Sequence, residues 1–246
     1  MHTIFSTPRL AELLPAIDTF VRNELIPLES NETLVGSFRA LEPTLHALRE
    51  KVKQAGWWGL ALPKSLGGHG LTLCEFGQIS ACLAQSPFGH FVFNTQAPDI
   101  GNMELLHHHA ADLLKEKYLN PLIQGQIRSC FSMTEPEFAG SNPVEMGTTA
   151  VIDGDDYVIN GHKWYTSSAD GATFAIVMAV TNPDALPHQR ASQILVPLDT
   201  PGFELVRNIP VMGHAGDSWA SHAEVRYTNV RVPRSNRIGE EGSGFR

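Results

Sequence analysis

The sequence predicts an α+β protein, with an all-α N-terminal part over residues 1–127 and an antiparallel β-barrel or sandwich over residues 128–237. Three observations predict it. Apolar residues recur at helical spacing through the first half and switch to a period of two near residue 127. Short runs rich in β-branched and aromatic residues then alternate with turn residues. Between two such runs stands Asp153-Gly154-Asp155-Asp156, a strong hairpin signal, because a tight turn needs the positive φ that glycine adopts freely.

In chain order, the first periodic stretch runs from Leu10 to Leu25, with Pro15 inside it; the helix is expected to start near Pro15 or to kink there. Leu41, Leu45, Leu48 and Val52 mark a second helix, with Gly56 at its C-terminal stop. Thr72 and Glu75 have capping-box spacing ahead of Phe76, Ile79 and Leu83. Asn120-Pro121 reads as a helix start, following a helix that carries Leu114 and Tyr118. Strands are expected at Thr149–Ile152 and Tyr157–Asn160 around the hairpin turn. Phe174–Val180 is an unbroken apolar run, so both faces of that strand are expected to be buried. Ile194–Pro197, Phe203–Val206 and Glu224–Val232 complete the set. Residues 238–246, rich in glycine, read as the start of a linker.

The composition fits one large or two ordinary globular domains: 246 residues, 42% hydrophobic and 18% charged. A formal charge of -8 argues against nucleic acid or an anionic membrane as partner. No apolar run approaches the ~18 residues of a membrane span. Met1–Phe5 has no basic region leading into an apolar core, so the expected location is cytoplasmic. A mitochondrial or peroxisomal location in a eukaryote stays open. Cys74, Cys82 and Cys130 read as buried reduced thiols.

Two segments carry chemistry. Cys130-Phe131-Ser132-Met133-Thr134-Glu135-Pro136 begins as a strand, breaks at proline and ends in the small residues Gly140-Ser141-Asn142, whose backbone can approach a ligand closely. Asn160-Gly161-His162-Lys163-Trp164-Tyr165-Thr166-Ser167-Ser168 follows. A planar ring ligand needs an apolar wall and donors along its polar edge, and a strand supplies both. Phe131, Met133 and Thr134 could do so from one strand, and Tyr165, Thr166 and Ser167 from the next. On residue types alone, two ordinary strands with Trp164 and Tyr165 as core aromatics is an equal reading.

Thr134-Glu135-Pro136 followed by Gly140-Ser141, and Lys163-Trp164-Tyr165-Thr166-Ser167, resemble the flavin-contacting segments of the acyl-CoA dehydrogenase family. Gly56-Trp57-Trp58-Gly59-Leu60 through Gly70, Lys117-Tyr118-Leu119 through Gly125, and Val230-Arg231-Val232-Pro233 through Gly239 are similar to further family motifs. Asn94–Glu104 is similar to the subgroup related to the catalytic part of large multidomain members, which act on long or unusual acyl chains. The resemblance implies FAD as cofactor, contacted by Phe131, Met133, Thr134, Gly140, Ser141, Tyr165, Thr166 and Ser167, with Ser141 also on the substrate's CoA end. It implies α,β-dehydrogenation of an acyl-CoA thioester, electron-transfer flavoprotein as acceptor, and a homodimer or homotetramer. In the family the proton acceptor is a glutamate of a C-terminal helical bundle, so no catalytic base is expected within these residues, and the chain is expected to be an inactive fragment. Neither Glu135 nor Glu137 is assigned that role. Asn142 stands where the family usually has Asp, and Tyr165 where it more often has Trp, which weakens a polar contact and shrinks an aromatic wall. A flavin oxidase or monooxygenase of the same fold is the alternative, separated by rapid peroxide formation. A non-catalytic module for a CoA ester or a protein partner is another, separated by the lack of flavin absorbance.

Other features carry less. His107-His108-His109 lie about 100° apart on a helix and cannot converge on one metal ion. Gly67-Gly68-His69-Gly70 reads as a connecting turn, Lys163 as a solvated strand charge, and Gly213–Trp219 as a polar stretch, which the resemblance places near the acyl-CoA entrance.

Overall fold

The computed structural model describes residues 6–29 and 36–245. The N-terminal pentapeptide read for a targeting signal lies outside them. The chain forms two compact units, Met1–Ile100 and Gly101–Arg246.

In the first unit, α1 (Pro8–Phe20) is capped by Thr7, whose hydroxyl accepts from the Leu10 N–H, with Pro8 in the first turn. The helix therefore starts well before Pro15, which lies inside it, and the backbone runs on through a wide turn at Val21–Leu25. α2 (Phe38–Gln54) is capped by Ser37 and buries Phe38, Leu45, Leu48 and Val52, together with Arg49. The capping box forms at the start of α3 (Leu73–Leu83): Glu75 N–H donates to Thr72 Oγ1 at 3.2 Å and Thr72 N–H to Glu75 Oε2 at 2.9 Å. A short α4 (Gly89–Val92) follows. The Gly67–Gly70 segment is a turn, with Gly67 left-handed at φ +77 and Gly70 N–H bonded to the Leu62 carbonyl at 2.9 Å. Of the three cysteines, Cys82 and Cys130 are buried, but Cys74 is exposed near the start of α3.

In the second unit, α5 (Asp99–His109) turns its Asn102 amide onto Ser129 Oγ at 2.9 Å. Helical backbone resumes as α6 (Asp112–Leu114), widens into a π turn at Lys115–Leu119 and continues as α7 (Asn120–Ile123). Asn120-Pro121 thus opens α7, with Pro121 in its first turn, but without a break before it. The Asn120 N–H reaches back to the Lys115 carbonyl, and the widened turn absorbs the donor that Pro121 lacks. Because Asn102 and Tyr118 pack on the strands (the Tyr118 ring lies 5.1 Å from that of Phe174), the helices after Ile100 belong with the sheet.

The strands are β1 (Ser129–Ser132), β2 (Thr149–Asp153), β3 (Asp156–Ser167), β4 (Phe174–Val180), β5 (Ala191–Pro197), β6 (Phe203–Asn208), β7 (His222–Pro233) and β8 (Arg237–Ile238). Their order is β6-β7-β3-β2-β4-β5-β8, with β1 on β4. The pairing is mostly antiparallel but follows an open path, and β1 runs parallel to β4, so the expected barrel is not closed by hydrogen bonds. The β2–β3 hairpin forms with Asp153 opposite Asp156 and Gly154 at φ +63. β4 is buried from Phe174 to Ala179. Tyr157, Ile159, Val177, Val196, Val225 and Tyr227 share one apolar core.

Gly161 of β3 lies hard against Thr148: a Cβ there would sit 2.1 Å from Thr148 Oγ1 and 2.6 Å from its Cβ. Gly161→Ala is therefore expected to lower stability by roughly 1–3 kcal/mol, the cost of overpacking, read as a shifted denaturation midpoint. A midpoint equal to wild type would show that Thr148 yields freely.

Candidate functional site

The two motif segments meet. Beyond the end of β1, the Thr134 carbonyl accepts from the Trp164 N–H at 3.0 Å, and Thr134 Oγ1 donates to the Trp164 carbonyl at 2.8 Å. β1 is thereby fastened to β4 on one side and to the outer half of β3 on the other.

The loop from Glu135 to Thr148 is closed at its base by one carboxylate. Glu135 Oε2 accepts from the Gly147 N–H at 2.6 Å, and Oε1 accepts from the Thr148 N–H and from Lys163 Nζ, both at 2.9 Å. Lys163 Nζ also donates to the Met133 carbonyl at 2.7 Å. Both side chains are buried, Lys163 at 0% and Glu135 at 3% exposure. Lys163 is therefore not a solvated charge but an internal tie. Burial would raise the Glu135 pKa, but the Lys163 charge and the donors at Thr148 and Gly147 outweigh it and hold the carboxyl below the usual range. Burial lowers the Lys163 pKa, opposed by Glu135. With every oxygen occupied, Glu135 is built to hold a loop, not to accept a substrate proton.

β3 carries a bulge between Lys163 and Thr166, where Lys163 pairs with Val225 and Thr166 with Ala223. Tyr165, the extra residue, takes a left-handed φ of +49 and is 46% exposed. Its ring lies 5.1 Å from that of Trp164. The bulge returns Thr166 to the inside: it is buried, and its hydroxyl meets Ser132 Oγ at 3.2 Å, which in turn accepts from Tyr227 OH at 3.1 Å. Burial pushes the Tyr227 pKa up, so the phenol stays a neutral donor. The Thr166 side chain is thus taken up within the sheet, leaving only its backbone for a ligand. Ser167 is half-buried, with its hydroxyl 2.8 Å from His222 Nδ1. Burial lowers the His222 pKa, which favours the neutral ring and a fixed Ser167 hydroxyl.

Phe131 and Met133 alternate with the buried Ser132 and are half-buried. Gly140 and Ser141 are exposed in the loop. A Cβ on Gly140 would stand 3.0 Å from Thr134 Cγ2, so the loop returns to the strand end at that residue.

Residues 7–126 match the family model for the N-terminal domain of acyl-CoA dehydrogenases, and residues 130–230 match the model for the middle domain. The chain belongs to the acyl-CoA dehydrogenase family. It is 44% identical over 209 residues to probable acyl-CoA dehydrogenase FadE2 of Mycobacterium tuberculosis, covering 82% of this chain and 49% of that protein. It is 42% identical to acyl-CoA dehydrogenase family member 11 of Gallus gallus, covering 82% of this chain and 26% of that protein. A solved structure of the family from Mycobacterium abscessus superposes with a TM-score of 0.91 at 38% identity, covering 97% of this chain and 62% of that one. The ChsE4-ChsE5 complex of Mycobacterium tuberculosis gives a TM-score of 0.74 at 26% identity, covering 99% of this chain and 59% of that one. The chain thus spans about half or less of the two named relatives it matches.

Among the residues expected at an acyl-CoA dehydrogenase site, Thr134, Gly140 and Tyr165 lie around the junction of β1 and β3, with Phe131 on β1, Met133 just past its end and Ser167 beyond the bulge. Among the described residues no group of His, Cys, Asp or Glu could hold a metal ion, and His107–His109 close α5. No described helix is long and apolar enough to cross a membrane. Motif reading missed the roles of Lys163, His162 and Tyr227. One signal was available for Lys163: it shares its strand parity with the inward Tyr157 and Ile159.

Proposed function

We propose that this chain provides the flavin-side wall of an FAD-dependent acyl-CoA dehydrogenase, which removes two hydrogens from the α and β carbons of an acyl-CoA thioester. The observation that carries the reading is the junction of β1 with β3. It presents an exposed aromatic ring at Tyr165, a hydroxyl fixed by His222 at Ser167, and a glycine loop returning to Thr134. Such a set suits a planar ring ligand with one apolar face and one polar edge.

The groups that would hold FAD are Phe131, Met133, Thr134, Gly140, Ser141, Tyr165, Ser167 and the backbone of Thr166, with Ser141 also serving the CoA end of the substrate. When bound, FAD supplies the acceptor for the hydride that leaves the β-carbon. The chain's part is positioning: Tyr165 covers a face, Ser167 and the backbone of Thr166 orient the polar edge, and the half-buried Phe131 and Met133 keep water out. The α-proton must go to a carboxylate on the far side of the substrate. Glu135 has its oxygens spent and Glu137 is bonded to His162, so in our reading the acceptor comes from outside these 246 residues. Electron-transfer flavoprotein as the onward acceptor belongs to the same proposal, on the sequence resemblance. So does assembly with further chains, supported by the neighbouring two-protein complex.

The test is flavin content, and reduction of the bound flavin by an acyl-CoA, in the natural protein that carries this chain. Bound FAD, bleached by an acyl-CoA under anaerobic conditions, is the expected result; a protein that takes up no flavin on reconstitution would overturn the reading. Tyr165→Ala is expected to weaken FAD binding by about tenfold, or ~1.4 kcal/mol, with little change in stability because the ring is nearly half exposed. An unchanged affinity would remove Tyr165 from the site.

A further inference from the structure

The loop that carries Gly140 and Ser141 has a second fastening, on its outer face. His162 of β3 places Nδ1 2.9 Å from Glu137 Oε1 and Nε2 2.9 Å from Glu224 Oε1. Glu224 Oε2 in turn accepts from Arg207 Nε at 2.7 Å. Glu137 lies in the loop, Glu224 on β7 and Arg207 on β6, so the imidazole joins the loop to three adjacent strands. Ionised carboxylates only accept hydrogen bonds, and a neutral imidazole has a single N–H. Both contacts therefore hold together only when the ring carries two protons and a positive charge.

We propose that His162 is a pH-dependent positioning residue, a charged clamp that holds the 137–142 loop in the place from which Gly140 and Ser141 meet the ligand. The clamp itself stands on the geometry of four side chains; its effect on the cofactor rests on the flavin reading above. Charged groups stand near His162 on the loop, β7 and β6. Glu137 faces it from the loop and Glu224 from β7, where Arg226 stands opposite it in the ladder; β6 adds Arg207 on Glu224 and Glu204 opposite Arg226. Arg207 first, and His162 after it, hold the Glu224 carboxyl below its usual range, so Glu224 stays an anion for the ring to bind. Lys163 and Glu135 fasten the same loop from inside and do not share this group. When His162 loses its proton, one of the two contacts loses its donor. The exposed one to Glu137 is then the weaker. The loop is released at its tip while its base, closed by Glu135, stays shut.

The test is amide hydrogen exchange of peptides spanning residues 137–146 in the 246-residue chain, corrected for intrinsic rates, at an acid and an alkaline pH. Wild type is expected to lose protection there by about five- to tenfold as pH rises. His162→Gln should be poorly protected at both pH values, and His162→Arg, charged throughout, should restore protection at the higher one. Glu137→Gln, on an exposed side chain that folding does not depend on, should behave as His162→Gln does. Equal protection in wild type and Glu137→Gln at both pH values would overturn the clamp, as would pH-independent protection in wild type. FAD affinity measured in the natural protein that carries this chain separates the two ideas. If the exchange changes as expected and no flavin binds at any pH, the clamp stands and the flavin reading fails. If flavin binds equally across the range in wild type and His162→Gln, the clamp does not position the site.

Discussion

Replacing Lys163 by methionine is expected to destabilise the protein by roughly 3–5 kcal/mol, because it leaves the Glu135 carboxylate buried without its counter-charge. Lys163 is fully buried, bonded to Glu135 at 2.9 Å and to the Met133 carbonyl at 2.7 Å. Methionine replaces the volume but neither donor. The two backbone donors at Gly147 and Thr148 remain, and they are too few to offset the burial of a charge. The pH dependence should change sign. In wild type the Glu135 pKa is lower folded than unfolded. Its contribution is therefore fully present above the unfolded carboxyl value, about 4.3, and is lost as pH falls through the folded one. Without Lys163, burial dominates and the folded pKa rises above the unfolded one, so the variant should gain relative stability in acid and lose it as pH rises. Denaturant unfolding of both proteins across the acid range reads this directly. Adding Glu135→Gln to Lys163→Met should recover part of the loss, since no charge is then buried. If Lys163→Met has wild-type stability and an unchanged pH slope, the internal tie contributes nothing.

Arg49→Met should cost roughly 2–6 kcal/mol, because two buried acceptors lose the Arg49 donors at about 1–3 kcal/mol each. The guanidinium on α2 is 2% exposed, and it donates to the Phe91 carbonyl at 2.6 Å and to Asn94 Oδ1 at 2.9 Å. It also lies 4.9 Å from the Trp58 ring and 4.7 Å from that of Phe91. Asn94 holds a left-handed backbone, φ 54, and the Arg49 bond helps keep it there. Arg49→Lys keeps the charge but cannot reach both acceptors in one plane, so it should retain only part of the stability. Hydrogen exchange at residues 91–96 should rise more than elsewhere in the first unit. Uniform exchange with an unchanged unfolding midpoint would show that other groups satisfy those acceptors.

Much of this was legible in the residues because it is local. The Thr72–Glu75 box, the Asp153–Asp156 hairpin and the buried Phe174–Val180 strand depend on neighbours within a few positions, and each formed where the spacing placed it. The readings that failed involve a competing structure nearby. Pro15 did not begin a helix because Thr7 and Pro8 supply a better start. Asn120-Pro121 does open a helical segment, α7, but as a continuation of the π turn and not after a break. Asn102 and Tyr118 hold the helices after Ile100 to the strands through residues far along the chain, contacts that no local pattern shows.

The candidate site divides in the same way. The sequence by itself determined that two segments near residues 134 and 165 belong together, and which family they belong to, because those motifs are contiguous runs of residue types. It could not determine which side chains face the ligand. Alternation along β3 from Tyr157 and Ile159 points Lys163 inward, and the same parity would bury Tyr165. Only the bulge, with its left-handed Tyr165, turns that ring out and sends Thr166 in. A strand's parity is set by its own residues, but a bulge is set by the register of the partner strand. Where β3 has to pass Val225 and Ala223 with one residue to spare, tertiary structure decides the face.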